Sequence, residues 1–216
     1  MGLGISVGFL ADMKQHDEEG LAWARKELDA ICRYLEGEGL PTWEEPEELP
    51  PLGMRPHIDA FPYSTIHYLR RAYALAYEHP DQQPVKPVGG EGLEAYDALV
   101  ADLSTMFSSH LLCHSDCEGW YLPVDFEDPL FAPEELGISG AGMLGSSYGL
   151  LRELRQVAPY IGIRLEADGS LSDAEAKRIY EEAAEDGPTW HELTAWLTLH
   201  EMARVSIKHR TAIHFH

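Results

Sequence analysis

The stretch His110-Leu111-Leu112-Cys113-His114-Ser115-Asp116-Cys117-Glu118-Gly119-Trp120-Tyr121-Leu122-Pro123-Val124-Asp125-Phe126 decides the fold class of this 216-residue chain. Two apolar runs, 110–114 and 120–126, flank the turn-forming Ser115 to Gly119, and this pattern predicts a β-hairpin. Pro123 has no amide hydrogen for a ladder, so the second arm is expected at a sheet edge or with a bulge. The two ends of the sequence alternate as strands do. Leu3, Ile5, Val7 and Phe9 make one apolar face opposite Gly4, Ser6 and Gly8, and Thr211-Ala212-Ile213-His214-Phe215-His216 repeats the alternation.

Between these segments the apolar period lengthens to that of helices. Asp17 is placed to cap a helix running to about Glu38, with Leu21, Ala24, Leu28, Ile31 and Leu35 on one face. Ser64 starts a second helix that ends before Pro80, a third spans Leu93 to about Phe107, and a fourth runs from about Ser147 to Ala158. Residues 41–62 and 80–92 read as loops, the glycine-rich 137–145 as another, and Ile161 to Leu165 as a short strand. Two capping boxes, Ser172 with Glu175 and Thr189 with Glu192, announce the last two helices. There is no internal repeat and no regular βαβ alternation. The expected architecture is a single α+β domain over residues 1–216: a small, mostly antiparallel sheet, built from the hairpin and the two terminal segments and covered by about six helices.

With Asp and Glu 37 against Lys and Arg 16, the formal net charge is −21, while 44% apolar residues are far too many for a disordered chain. Direct binding to nucleic acid and adsorption to an anionic membrane are excluded on this reading, because both need a cationic surface. No stretch approaches the roughly 18 apolar residues of a membrane span. The apolar Leu3 to Leu10 has no basic residue before it, unlike a secretory signal. Met1-Gly2-Leu3-Gly4-Ile5-Ser6 fits a loose acylation pattern, but its alternation favours a strand. Three cysteines, an odd number, argue against a secreted disulfide framework and for a reducing cytoplasm.

The densest set of reactive side chains is His110, Cys113, His114, Asp116, Cys117 and Glu118. Thiolates and imidazoles at close spacing suit zinc, and His214 and His216, which point the same way on a strand, are candidate completing ligands. The alternative is that these residues only build the hairpin, because no second Cys-x-x-Cys or His pair accompanies them. A zinc-dependent hydrolase with Asp116 or Glu118 as base is the enzymatic alternative. A thiol nucleophile, Cys117 or Cys113, activated by His114 and oriented by Asp116, or by His200 from the last helix, is a weaker variant. Gly140-Ala141-Gly142-Met143-Leu144-Gly145, with Glu166 beyond it, mimics a dinucleotide fingerprint but lacks the preceding buried strand. Arg70, Arg71, Arg152, Arg155, Arg204, Lys208 and Arg210 form no basic stripe and read as partners for local carboxylates.

The acidic residues are spread over Asp17-Glu18-Glu19, the loop Trp43-Glu44-Glu45-Pro46-Glu47-Glu48, and Glu181-Glu182 with Glu185-Asp186. They predict either a solvated face or a surface offered to a basic partner, with nearby aromatics as anchors. Candidate contacts are Trp43, Glu44, Glu45, Glu47, Glu48, Asp116, Glu118 and Trp120.

Ile5-Ser6-Val7-Gly8-Phe9-Leu10-Ala11-Asp12, the segment His114 to Phe126, and Gly142-Met143-Leu144-Gly145-Ser146-Ser147 resemble those of uncharacterised bacterial cytosolic proteins of similar length. In composition the chain is also similar to immunity proteins. That analogy implies a cytoplasmic protein without a cofactor that inhibits a basic protein, such as a toxin or effector, by covering its active-site cleft.

Overall fold

The computed structural model describes residues 2–216; Met1, the first residue of the acylation pattern, and the side chain of Glu18 lie outside what is described. Strand β1 (Gly2–Val7) ends where Gly8 takes a φ of 83°, a left-handed conformation open to glycine without a steric penalty. Helix α1 (Phe9–His16) begins there, so Phe9, expected to extend the strand, starts a helix instead. Helix α2 (Glu18–Gly37) follows the sequence closely. Asp17 caps it by accepting the Gly20 amide at 2.9 Å, and Leu21, Ala24, Leu28, Ile31 and Leu35 are buried.

A short strand β2 (Ala60–Pro62) precedes helix α3 (Ser64–Glu78). The third expected helix is divided into a 3-10 turn, Leu93–Tyr96, and helix α4 (Asp97–Ser104).

The hairpin does not form. Residues 110–113, its expected first arm, are helix α5 (His110–Cys113), and strand β3 (Gly119–Leu122) stops before Pro123. A five-residue apolar run has no period that separates strand from helix, so distant groups decide. Ser109 Oγ accepts the Leu112 amide at 3.0 Å, and the buried Glu153 carboxylate accepts the amides of His110 at 2.8 Å and Leu111 at 2.7 Å. These are the orphan donors of a helix start.

Strand β4 (Leu130–Phe131) and strand β5 (Met143–Ser146) follow, the latter inside the glycine-rich stretch expected to be a loop. At Gly145 a side chain would run into the Tyr121 ring, so glycine is required for that ring to lie over the sheet. Ser146 Oγ accepts the Gly149 amide at 3.1 Å and caps helix α6 (Ser147–Val157). Residues 161–165 are not a strand: a 3-10 turn, Ala158–Ile161, passes into irregular chain. Of the two capping boxes, Ser172 caps helix α7 (Asp173–Ala184), accepting the Glu175 amide at 3.3 Å. Thr189 makes no side-chain cap at helix α8 (Trp190–His209), and Glu192 instead faces the buried Arg71 at 3.6 Å.

Strand β6 (Ile213–Phe215) completes an α+β fold with a six-stranded mixed sheet in the order β2-β1-β6-β3-β5-β4. Every neighbouring pair is antiparallel except β3 with β5. Alternation along the strands splits the core. Leu3, Ile5, Tyr121, Ile213 and Phe215 pack with α3, α6, α7 and α8 on one face, whereas Trp120, Leu122 and Leu144 pack with α1 and α2 on the other. Helix α8 is buried around most of its circumference, as its sequence implied.

Candidate functional site

The predicted metal ligands are separated by the sheet itself. His114 stacks on Tyr121 with ring centroids 4.1 Å apart, on the α8 side, and its Nδ1 lies 2.7 Å from the Ser115 carbonyl. His214 pairs with Trp120 across β3 and β6 and stacks on that indole at 4.2 Å, on the α2 side. His216 follows His214 at 5.4 Å and is exposed. His110 is pinned between the Ser146 amide at 3.1 Å and the Glu127 carbonyl at 3.0 Å. The Cys113 thiol donates to the Ser104 carbonyl, and Cys117 is exposed beside Ser115. Among the described residues no group of three His, Cys, Asp or Glu side chains could hold a metal ion, so the zinc site and the hydrolase built on it are corrected.

The nucleophile also lacks its base. Burial holds the His114 imidazole at a pKa of about 3, Asp116 is engaged by His67 at 2.9 Å, and the Cys117 thiol contacts Ser115 Oγ at 3.3 Å. His200 is buried on α8, stacked on Trp196 at 4.6 Å, and burial lowers its pKa to about 4.

The predicted partner contacts divide by burial. Trp43 and Trp120 are core residues, not surface anchors. The Trp43 indole donates to Glu45 at 2.8 Å, and the Trp120 indole donates to Glu27 at 2.9 Å. Glu45 is also buried, accepting from Thr211 Oγ1 and from the Ala212 amide at 2.8 Å, and burial raises its pKa. It fastens the loop to the start of β6. Glu47 pairs with Arg25 and, at 3.4 Å, with Lys14, whereas Glu44, Glu48 and Glu118 are exposed and Asp116 is half-buried. The loop roofs a cavity of about 730 Å³ against α2, lined by Arg25, Asp29, Cys32 and Trp43.

The stronger acidic feature lies elsewhere. Residues 87–151 hold eleven Asp and Glu and no Lys or Arg, which is more than half of the net charge of −21. These carboxylates are on Glu91, Glu94, Asp97, Asp102, Asp116, Glu118, Asp125, Glu127, Asp128, Glu134 and Glu135, and all but Asp116 are exposed. Among the described residues only Asp116, with the His67 imidazole at 2.9 Å, and Asp125, with Arg152 at 2.7 Å, have a basic side chain within ion-pair distance. The two histidines in the run, His110 and His114, are buried and kept neutral near pH 7 by pKa values of about 4 and about 3. A face built from this segment therefore has no cation of its own to offset the field of its carboxylates.

The same segment exposes four large apolar side chains, Met106 (56%), Phe107 (58%), Phe131 (43%) and Leu136 (41%). The Phe107 and Phe131 rings meet edge to face with centroids 5.1 Å apart, which joins the end of α4 to β4. Tyr34 donates to the Phe131 carbonyl at 3.2 Å and brings the last turn of α2, with Glu36 and Glu38, alongside. The basic-free run is readable from the spacing of Lys and Arg alone. The exposure of the phenylalanines is not, because apolar residues in a sequence read as core.

Residues 1–215 match the family described as "Putative DNA-mimic protein". A search of curated proteins and a search of solved structures give no match. The family corrects the partner reading from composition in one respect. Mimicry of DNA points an acidic protein to the sites of DNA-binding proteins, so the basic protein partner fits, and what is corrected is the setting aside of nucleic-acid recognition on the ground of charge. The match spans all but the last residue, and this chain belongs to the putative DNA-mimic protein family.

Proposed function

We propose that the protein inhibits a DNA-binding protein by occupying its nucleic-acid site with the acidic face of residues 87–151. The observation that carries this reading is the run of eleven carboxylates without a Lys or Arg, ten of them exposed. Carboxylates stand in for phosphate oxygens, and a site lined with Lys and Arg to meet phosphates gains from them the same charge-assisted hydrogen bonds. Association is steered by the long-range field and weakens with salt. On this reading the protein acts in the cytoplasm, where its three free cysteines stay reduced, and the resemblance to acidic bacterial proteins accords with it.

Displacement of fluorescent DNA from purified DNA-binding proteins tests the proposal, using a histone-like duplex-binding protein and an OB-fold single-strand-binding protein. Displacement is expected from at least one of them at about 50 mM salt, with the logarithm of the affinity falling linearly in log salt. The variant D102N/E127Q/D128N/E134Q/E135Q is expected to reduce both affinity and slope while the fold is retained. No displacement from either protein at that salt overturns the reading.

A further inference from the structure

Phe107 takes a left-handed conformation in the connection between α4 and α5, where its amide donates to the Ser104 carbonyl at 3.1 Å. Its φ is 53°, three residues beyond the end of α4, in a region where glycine or asparagine is the unstrained choice, and its ring is 58% exposed. Neither the backbone nor the burial of the ring rewards a phenylalanine there. Its edge-to-face partner, Phe131, is also exposed, and Met106 and Leu136 of the same segment are exposed as well. Along the chain this island is bordered by Asp102 on one side, by Glu127 and Asp128 before Phe131, and by Glu134 and Glu135 after it. An apolar patch flanked along the chain by carboxylates suits a partner surface that is cationic and also offers rings or other apolar groups.

Duplex DNA does not present that combination. Its ring faces are stacked inside, so proteins that hold an undistorted duplex meet phosphates and base edges, and a ring face is met only where an apolar wedge opens a base step. Single strands offer unstacked bases beside phosphates, and the proteins that bind them combine a basic groove with aromatic platforms. We infer that the Phe107 and Phe131 rings take the place of unstacked bases, and that the partner is a single-strand-binding protein whose groove carries aromatic side chains. This rests on the acidic-face reading above and narrows it.

The test uses the same two loaded proteins, the OB-fold protein carrying fluorescent oligo-dT and the histone-like protein carrying a fluorescent duplex, with the full-length chain and its F107A/F131A variant. Circular dichroism and a urea midpoint establish that the variant is folded. The expected result is displacement of oligo-dT by the wild-type chain, weakened at least about tenfold in F107A/F131A, since loss of an aromatic stacking partner costs that much in single-strand complexes. Displacement of the duplex alone, or of oligo-dT with equal strength by both chains, overturns this inference and leaves the acidic face standing. Displacement of neither removes both. A Phe107→Gly variant, which relieves the backbone, is expected to be at least as stable as wild type yet weaker in displacement; a loss of stability instead would show that the ring serves the fold and overturn the inference.

Discussion

The Trp120 indole donates a 2.9 Å hydrogen bond to Glu27, and both side chains are buried. The same carboxylate oxygen accepts the Ser139 amide at 2.7 Å, so one buried acid on α2 holds both the centre of the sheet and the turn that leads to β5. Glu27→Ala is expected to lower stability by about 2–3 kcal/mol, because two buried donors lose their acceptor. Glu27→Gln keeps a carbonyl oxygen for both and is expected to cost less. Urea midpoints with tryptophan fluorescence check the order; equal effects would show that the hydrogen bonds are not what holds α2.

Stability is expected to fall in mild acid. Burial lowers the pKa of His110, His200 and His214 to about 4 and that of His114 to about 3, from 6.5. Between those values and 6.5 the unfolded chain binds protons that the folded chain refuses, so each imidazole removes up to about 1.4 kcal/mol per pH unit as pH drops through that window. Glu153 works the other way. Burial raises its pKa to about 7, so the folded state takes up its proton first, and this stabilises as pH falls from 7 towards 4.5. Burial raises Glu45 and Glu192 too, in the same sense as Glu153, and lowers His191 as well; five imidazoles outweigh three carboxyls, and the urea midpoint should decline below about 6.5. Glu153→Gln should steepen the decline. A midpoint unchanged between pH 7 and 5 would contradict the account.

The Trp43 loop offers a contrast between neighbours. Glu45 accepts from Trp43, Thr211 and Ala212 in the interior, whereas Glu44 and Glu48 are exposed. Glu45→Ala is expected to cost about 2–3 kcal/mol. Glu44→Gln and Glu48→Gln should stay within about 0.5 kcal/mol of wild type. Thermal or urea unfolding separates the three.

Metal should be irrelevant to folding. Because His114 and His214 are on opposite faces of the sheet, packed on Tyr121 and Trp120 respectively, chelator is expected to leave the unfolding midpoint unchanged. Elemental analysis should find no stoichiometric zinc. A chelator-sensitive midpoint would reinstate a metal site.

The elements with a local signal were legible. Helix α2 carries its Asp17 cap and a complete apolar stripe, α7 its Ser172 cap, and α8 an apolar circumference that placed it at the centre. The hairpin was not legible, since 110–113 has neither length nor period, and its state is set by Glu153, more than forty residues away in sequence. Likewise Met143–Ser146 reads as loop for its glycines, yet becomes a strand because β3 offers a parallel edge and Gly145 makes room for Tyr121. Within the candidate site, the charge was legible and the anchors were not: Trp43 and Trp120 are as aromatic as Phe107 and Phe131, and only packing separates them.

By itself the sequence determined the α+β class and the acid excess. Hydrophobic period and formal charge are sums over residues and need no coordinates. Tertiary structure decided which of those residues face outward. It buried Glu27, Glu45 and Glu153 as hydrogen-bond acceptors, drew two tryptophans into the core, and left Phe107 and Phe131 at the surface of a segment without a cation. The reason is physical: a side chain's surroundings come from partners distant in sequence, and the same carboxylate or ring is structural where they enclose it and available to another molecule where they do not.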